Sequence, residues 1–429
     1  MPLRVTLATL LILALVGCAE APSTPESVLP TPTPSPPRPT VTPTPTRELE
    51  PMIVTIALWL PEELDPYSGN PGAYLLAQQL DDFSEAYPDV QVEVIVKKAR
   101  GRGGLFDFLR TARDAAPLVL PDLVVLDTAD LETAAGSGLI QPLDDFLSPA
   151  EMADRFPFAA ELGTVDGQTF GFVVGANMQH AAYRRARFES PPASWTQVIS
   201  PPVPFLFPAG TGAQQIGDAT LIQYLAAGGK LTDQDGLPWL DEDVMVSVLG
   251  FYSACISTGT ISPTVVLSIK DADQAWDQFR GGAGEITVVP STQYLRQANE
   301  TFAAGPIPTD RGQPLSIARG RVIAMVTDDP TRQSLAMLLL DWLIAPDHNG
   351  EWTQAVGYLP GTNAALRMWD LPNADRAALR SVMEAAVPPP RTEVMAVVGP
   401  AMQEAVEALL RGRATPEEAA AGALEKLEE

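Results

Sequence analysis

Between Ile53 and Gly138 the chain switches three times from the side-chain period of a strand to that of a helix. Ile53-Val54-Thr55-Ile56-Ala57-Leu58-Trp59 is β-rich and apolar throughout, as in a strand buried on both faces. Residues 74–87 then space Leu75, Leu76, Gln79, Leu80 and Phe83 at helical intervals, and Pro88 ends the run. Residues 90–96 alternate as a second strand, 106–112 are helical, 121–127 form a third strand, and 131–137 a short helix closed by Gly138. A βαβαβα order specifies a mostly parallel sheet with helices on both faces, because parallel neighbours require crossovers that pack back on the sheet. Ligands of such sheets sit beyond the carboxyl ends of the strands. The pattern places Trp59 and the stretch from Asp127 to Asp130 there.

The alternation continues, with strands expected at 170–174, 204–207, 285–289 and 321–326. Helices are expected at 218–227, 241–259, 273–279 and 331–343. Residues 399–426 read as helix, interrupted at Gly412 and restarted by Thr415 as a cap with Pro416 in the first turn. A chain of 429 residues, 46% hydrophobic and 19% charged, has enough material for two or three globular domains. Its 28 basic residues against 53 acidic ones, a net charge of −25, argue against nucleic acid and against electrostatic adhesion to anionic lipid. Two cysteines and two histidines support neither a disulfide framework nor a protein zinc site, so no metal or cofactor is expected.

Catalytic signatures are missing. The sequence holds no Gly-x-Ser-x-Gly, His-Glu-x-x-His, P-loop or Cys-x-x-Cys. Gly210-Thr211-Gly212 lacks the third glycine of a dinucleotide fold and reads as a turn. Asp233-Gln234-Asp235-Gly236 brings its glycine two positions too early for a calcium loop and also reads as a turn. Asp81-Asp82 and Asp144-Asp145 read as solvated surface, and His180 and His348 carry no triad spacing. The lone Cys255 reads as a small core residue rather than a nucleophile. No enzyme activity is expected.

The N-terminal part is of a different kind. Arg4 precedes an apolar run from Val5 to Val16, about a dozen residues against the roughly 20 needed to span a bilayer, so it reads as a signal segment. Leu15-Val16-Gly17-Cys18 is similar to the box of bacterial lipoproteins, which implies cleavage after residue 17 and lipid attachment at Cys18. Residues 18–51 are rich in Pro, Thr and Ser, as in Pro30-Thr31-Pro32-Thr33-Pro34, and have no apolar period. At about 3.1 Å per residue in polyproline II, the proline-rich part reaches nearly 90 Å, a stalk or spacer between membrane and body.

A set of ordered motifs carries a resemblance. Pro121-Asp122-Leu123-Val124-Val125-Leu126 through Ala135-Gly136-Ser137-Gly138-Leu139-Ile140-Gln141-Pro142-Leu143 begins it, followed by Asp166-Gly167-Gln168-Thr169-Phe170-Gly171. Ala227-Gly228-Gly229-Lys230, Gly259-Thr260-Ile261-Ser262-Pro263, Ala275-Trp276-Asp277-Gln278-Phe279-Arg280-Gly281-Gly282 and Gly357-Tyr358-Leu359-Pro360 follow in order. The set resembles bacterial extracellular solute-binding proteins, the maltose-binding-like group that serves ABC transporters. The resemblance implies a two-lobed periplasmic-binding-protein-like α/β fold of type II, with a hinge between the lobes. Lobe one would be residues 52–175 and 314–350, and lobe two residues 176–308 and 351–429.

It further implies a monomer, anchored at the outer face of the cell membrane by its lipid, that captures a small solute and passes it to a permease. The solute expected is a carbohydrate. Trp59 takes the stacking role, with a core tryptophan as the open alternative. Thr128, Asp130 and Asp218 are polar contacts or helix caps. Asn177 lies where the chain crosses between lobes, and Gln293 and Tyr294 stand where relatives carry a stacking tryptophan. That tryptophan is missing, as is an aromatic at Val397-Val398-Gly399, so a smaller or more polar solute fits better than a long oligosaccharide. A surface sensory or interaction protein that keeps the fold without transport is the second reading, separated from the first by whether the cleft binds a small molecule.

Overall fold

Successive side chains along β1 (Val54–Pro61) and β3 (Leu123–Asp127) fall on opposite faces of the sheet, and both faces are buried. Ile56, Leu58, Leu60, Leu123 and Val125 join one core with Leu80 and Phe83 of α1 (Ala73–Ala86). Trp59, Val124 and Leu126 join another with Leu105 and Leu109 of α2 (Leu105–Ala115) and Leu131 of α3 (Leu131–Gly136). This two-sided burial, about 2 kcal/mol for each large apolar side chain, is what an uninterrupted apolar strand encodes. The computed structural model describes residues 53–212 and 216–428. The expected signal segment 1–17, the linker 18–51 and the lipid site Cys18 lie outside the described residues. No helix among the described residues is long and apolar enough to cross a membrane.

β2 (Val90–Lys97) and β3 flank β1, and both pairs are parallel as expected. The pairing then changes sense. β4 (Phe172–Arg184) and β8 (Ser316–Met325) run antiparallel to one another, and β8 is antiparallel to β3. Both are longer than the apolar runs 170–174 and 321–326 alone indicate. Their extra residues, among them Asn177, Gln179 and Arg319, include polar side chains and carry the strands out of one lobe and into the next. In the second lobe, β4 pairs antiparallel with β6 (Ile286–Pro290) and β7 (Phe302–Gly305), while β5 (Phe205–Leu206) pairs parallel with β6. With β9 (Ala386–Val387) on β8, these strands form one mixed nine-stranded sheet among the described residues. The sheet passes through both lobes, with the long strands β4 and β8 antiparallel to most of their neighbours and parallel pairs at β1–β2, β1–β3 and β5–β6.

The second lobe has its own core. Ile222 and Tyr224 of α5 (Asp218–Ala226), Tyr252 and Cys255 of α6 (Glu242–Thr258), and Val398 and Met402 of α12 (Thr392–Leu410) pack together. Cys255 is a free, fully buried thiol whose pKa burial pushes up to about 12, so it is inert core. α12 starts before residue 399 because Val394 and Val398 are buried, and packing carries the helix through Pro400. The expected restart is present in α13 (Pro416–Glu428): Thr415 Oγ1 accepts from Glu418 N at 3.2 Å, and Thr415 N donates to Glu418 at 2.9 Å.

Residues 351–356, expected in lobe two, belong to α10 (Pro346–Val356), whose Trp352 and Val356 sit in the lobe-one core. The helix runs through residue 350 without a break. α11 (Asn373–Glu384) touches both α4 (Pro157–Leu162) and β7, one from each lobe.

One buried charge ties lobe one together. Asp122, 2% exposed, accepts from Arg332 Nε at 2.6 Å and Nη2 at 2.5 Å, and from Ala57 N at 2.8 Å. Arg332 also donates to Thr55 O at 3.0 Å, so the start of α9 (Pro330–Ile344) is clamped to β1. Removing the guanidinium strands a carboxylate in the core. Arg332→Ala is expected to cost about 3 kcal/mol in urea unfolding; a loss below about 1 kcal/mol would mean that water replaces the arginine.

Candidate solute cleft

The site is built on the crossing strands. In the β4–β8 ladder Asn177 stands opposite Arg319, Ala176 opposite Gly320, and Gly175 opposite Arg321; the register then shifts so that Val322 faces Val173. The extra residue, Val174, makes a bulge, and its carbonyl is satisfied by Asn349 Nδ2 of α10 at 2.9 Å. A third segment joins the crossing, with Ala176 and Leu359 exchanging both backbone hydrogen bonds at 2.8 Å. The approach is close enough to require glycine: a Cβ on Gly175 would lie 2.7 Å from the Tyr358 ring, and one on Gly320 2.6 Å from Gly175 O.

Over this crossing lies a cavity of about 390 Å3 lined by Glu63, Arg100, Asp127, Asn177, Thr292, Arg296, Arg319, Arg321 and Tyr358, with backbone from Gly175, Ala176 and Gly320. Arg319 also borders a second cavity of about 920 Å3 in lobe two, lined by Asp218, Leu221, Pro389, Thr392, Met395, Ala396 and Pro400 among others. The two cavities share Arg319 as a common wall residue. Within α12, Pro400 cannot donate to the carbonyl of Ala396, so the wall of the larger cavity carries a carbonyl without its usual helical donor.

Charge-assisted pairs fix the cleft walls. Arg319 and Arg321 lie two residues apart on one strand and so share a face. Arg321, its side chain only 13% exposed, is held between Glu63 and Asp127 and reaches Asp127 at 3.1 Å. Asp127 also pairs with Arg100 and accepts from Ala129 N at 3.0 Å, which turns the chain sharply after β3. Asn70 Nδ2 steadies Glu63 from below by donating to the carbonyls of Glu62 and Glu63, each at 3.3 Å. The Tyr358 hydroxyl, hydrogen-bonded to Arg321, has its pKa raised by burial and stays protonated.

The expected site residues separate by place. Asn177 lines the crossing cavity; its Oδ1 accepts from Ser291 Oγ at 2.9 Å and Thr292 N at 3.2 Å, and its Nδ2 has no acceptor among the described residues. Asp218 lines the larger cavity and is chelated by Arg319 at 2.5 and 3.0 Å. Asp130 borders an adjoining cavity of about 260 Å3 beside Arg100 and Asp127; burial and the Asp127 charge raise its pKa against the pull of Arg100 and Arg321. Thr128 Oγ1 accepts from Gly320 N at 3.1 Å and ties a lobe-one loop to the crossing strand.

Three expectations need correction. Trp59 is 1% exposed, packed against Phe108 and Lys97, and has no open face on which a sugar ring could stack. Tyr294 is 6% exposed, edge-on to His180 and close to Trp276, and belongs to the core. Gln293, on the same helix α8 (Ser291–Gln297), lines neither cavity and accepts from Gln297 at 2.9 Å. Of the residues that line the crossing cavity, Asp127 lay in the stretch placed beyond the strand ends, but Glu63, Arg100, Arg296, Arg319, Arg321 and Tyr358 were not singled out from the sequence. Their one sequence signal is Arg319-Gly320-Arg321, two charges flanking a glycine beside an apolar strand. Among the described residues no group of three or more His, Cys, Asp or Glu could hold a metal ion.

A profile for bacterial extracellular solute-binding proteins matches residues 78–377. The chain belongs to that family. Solved structures share the fold of this solute-binding protein. The cyclic α-maltosyl-1,6-maltose binding protein of Arthrobacter globiformis aligns with a TM-score of 0.67 at 19% identity, over 87% of this chain and 98% of its own. A family 1 extracellular solute-binding protein of Alicyclobacillus acidocaldarius gives 0.69 at 16%, over 89% and 98%. The sugar-binding protein MalE of Xanthomonas citri gives 0.65 at 19%, over 87% and 96%. No curated protein matches by sequence.

His180 makes the solute-binding protein sensitive to pH just beyond the crossing. It is fully buried on β4, its Nδ1–H donates to Ala181 O at 2.9 Å, and its Nε2 has no partner. Burial lowers its pKa from 6.5 to about 4. The unfolded chain therefore binds a proton below about pH 6.5 that the folded one refuses. The neutral form's stability is complete above that pH and declines as pH falls toward 4, by about 3 kcal/mol in all. His180→Met should flatten this slope, measured as the difference between the two proteins' unfolding free energies at pH 7 and below pH 5; parallel curves would refute the assignment.

Proposed function

We propose that this solute-binding protein is a receptor anchored through Cys18 to the outer face of the bacterial membrane. It captures a small polar solute, a carbohydrate, by closing its lobes, and delivers it to an ABC-type importer. The observation that carries this is the position of the cleft on the crossing strands. A solute seated there meets Asp127 and Arg321 on the lobe-one side and Asp218 and Arg319 toward lobe two. Contact with both sides at once favours the closed arrangement by the difference in affinity between open and closed states. Closure gives a permease a shape that reports occupancy.

Carbohydrate is supported by the wall itself. Paired guanidinium and carboxylate groups, the Asn177 amide and the half-buried Tyr358 ring offer the planar donors, acceptors and flat face that hydroxyls and C–H surfaces require. Sugar ligands named for the structural neighbours support the same class. The lipoprotein-like box and the proline-rich linker support the anchor.

A thermal-shift screen of the purified chain against sugars, polyols, amino acids and phosphate esters tests this. A saccharide present at 100 times its dissociation constant should add about 2.7 kcal/mol. It should also reduce the radius of gyration in small-angle scattering and be recovered unchanged. Asn177→Ala should weaken it roughly ten-fold. Hydrolysis of the bound solute, or binding without contraction, would contradict the receptor.

A further inference from the structure

The charge of the cleft runs against the charge of the chain. Acidic residues outnumber basic ones 53 to 28 overall, yet the crossing cavity is lined by Arg100, Arg296, Arg319 and Arg321 with only Glu63 and Asp127 beside them. Three of these arginines are matched: Arg321 by Glu63 and Asp127, Arg100 by Asp127, and Arg319 by Asp218. Arg296 has no carboxylate partner among the described residues. Its Nε donates to Val356 O at 2.7 Å, which orients the guanidinium at the third crossing segment and leaves its terminal nitrogens uncommitted. On the same cavity wall, the Asn177 amide is oriented by Ser291 and Thr292, and its Nδ2 has no acceptor among the described residues. An anchored guanidinium with two open terminal nitrogens, on a wall that also carries an amide donor, suits two oxygens of one acidic group, whereas a neutral hydroxyl uses such a fork poorly.

We propose that the solute carries one acidic group, a carboxylate or a phosphate, which docks on Arg296 with Asn177 Nδ2 donating alongside. The proposal rests on the receptor reading above and names the chemical class of its solute. The aromatic side chains agree with it. With Trp59 and Tyr294 in the core, Tyr358 is the aromatic on the crossing cavity wall, so affinity has to come from charge-assisted hydrogen bonds rather than from a succession of stacked rings. One acidic group also suits the site better than several, because the wall's own carboxylates and the net charge of −25 repel a polyanion.

Matched probes test it on the purified full chain: D-galacturonate against D-galactose, and D-glucose 6-phosphate against D-glucose, by thermal shift and titration calorimetry at low and high salt. An acidic member is expected to bind at least about ten-fold more tightly than its neutral partner, with a preference that shrinks as salt rises. Which pair shows the preference tells carboxylate from phosphate. Arg296→Gln should remove the preference, Arg296→Lys should keep part of it, and neither should shift the melting point of the unliganded protein by more than a degree or two, about what an exposed side chain contributes. Equal affinity for acidic and neutral partners overturns the acidic-group proposal and leaves the receptor standing. So does a neutral solute from the wider screen that binds when no acidic probe does. Absence of binding by any solute overturns both.

Discussion

The antiparallel ladder between β4 and β8 is the constraint on which the rest of the molecule depends. It is where the sheet changes lobes, where two glycines allow three chain segments to touch, and where Arg319 and Arg321 enter the cavity wall. A bulge at Val174 shifts the register within the ladder, and bulges increase local twist. The twist sets the angle at which one lobe leaves the other. Because Asn349 satisfies the bulged carbonyl from α10, the irregularity is locked from the lobe-one side.

Electrostatics at the crossing are preorganised rather than assembled on binding. Arg321 between Glu63 and Asp127, and Arg319 chelating Asp218, already satisfy most of their donors. Such half-buried pairs add little net stability, since desolvation offsets most of the Coulomb gain. Their value is positional: each holds a planar group at a fixed angle to the cavity, and a solute then loses less entropy in ordering the wall. Arg296 and the Asn177 amide differ in being oriented by protein while keeping donors in reserve.

Much of the secondary structure was legible because its signals are local. Apolar runs buried on both faces, helical spacing from Leu75 to Phe83, and the Thr415-Pro416 restart each depend on residues within a few positions of one another. The site was less legible. Trp59 and Tyr294 look like ligands from their place in the order of elements, but burial is decided by what packs over them, Phe108 in one case and Trp276 with His180 in the other. Arg100, Arg296 and Arg321 come from stretches separated by as many as two hundred residues, and no local pattern announces that they share a wall. Asn177 was singled out through the family resemblance alone, and it lines the crossing cavity.

Sequence by itself determined the α/β class, the alternation of strand and helix from β1 to α3, the acidic charge and the scarcity of thiol and imidazole groups, all of which follow from composition and side-chain period. Tertiary structure alone decided which of two tryptophan fates Trp59 meets, which core Trp352 and Val356 of α10 join, and which four arginines meet over the crossing. The physical reason is the range of the interactions. Period and propensity act over a few residues, whereas burial and ion pairing depend on distances in space that the chain sets only once β4 and β8 have brought the two lobes together.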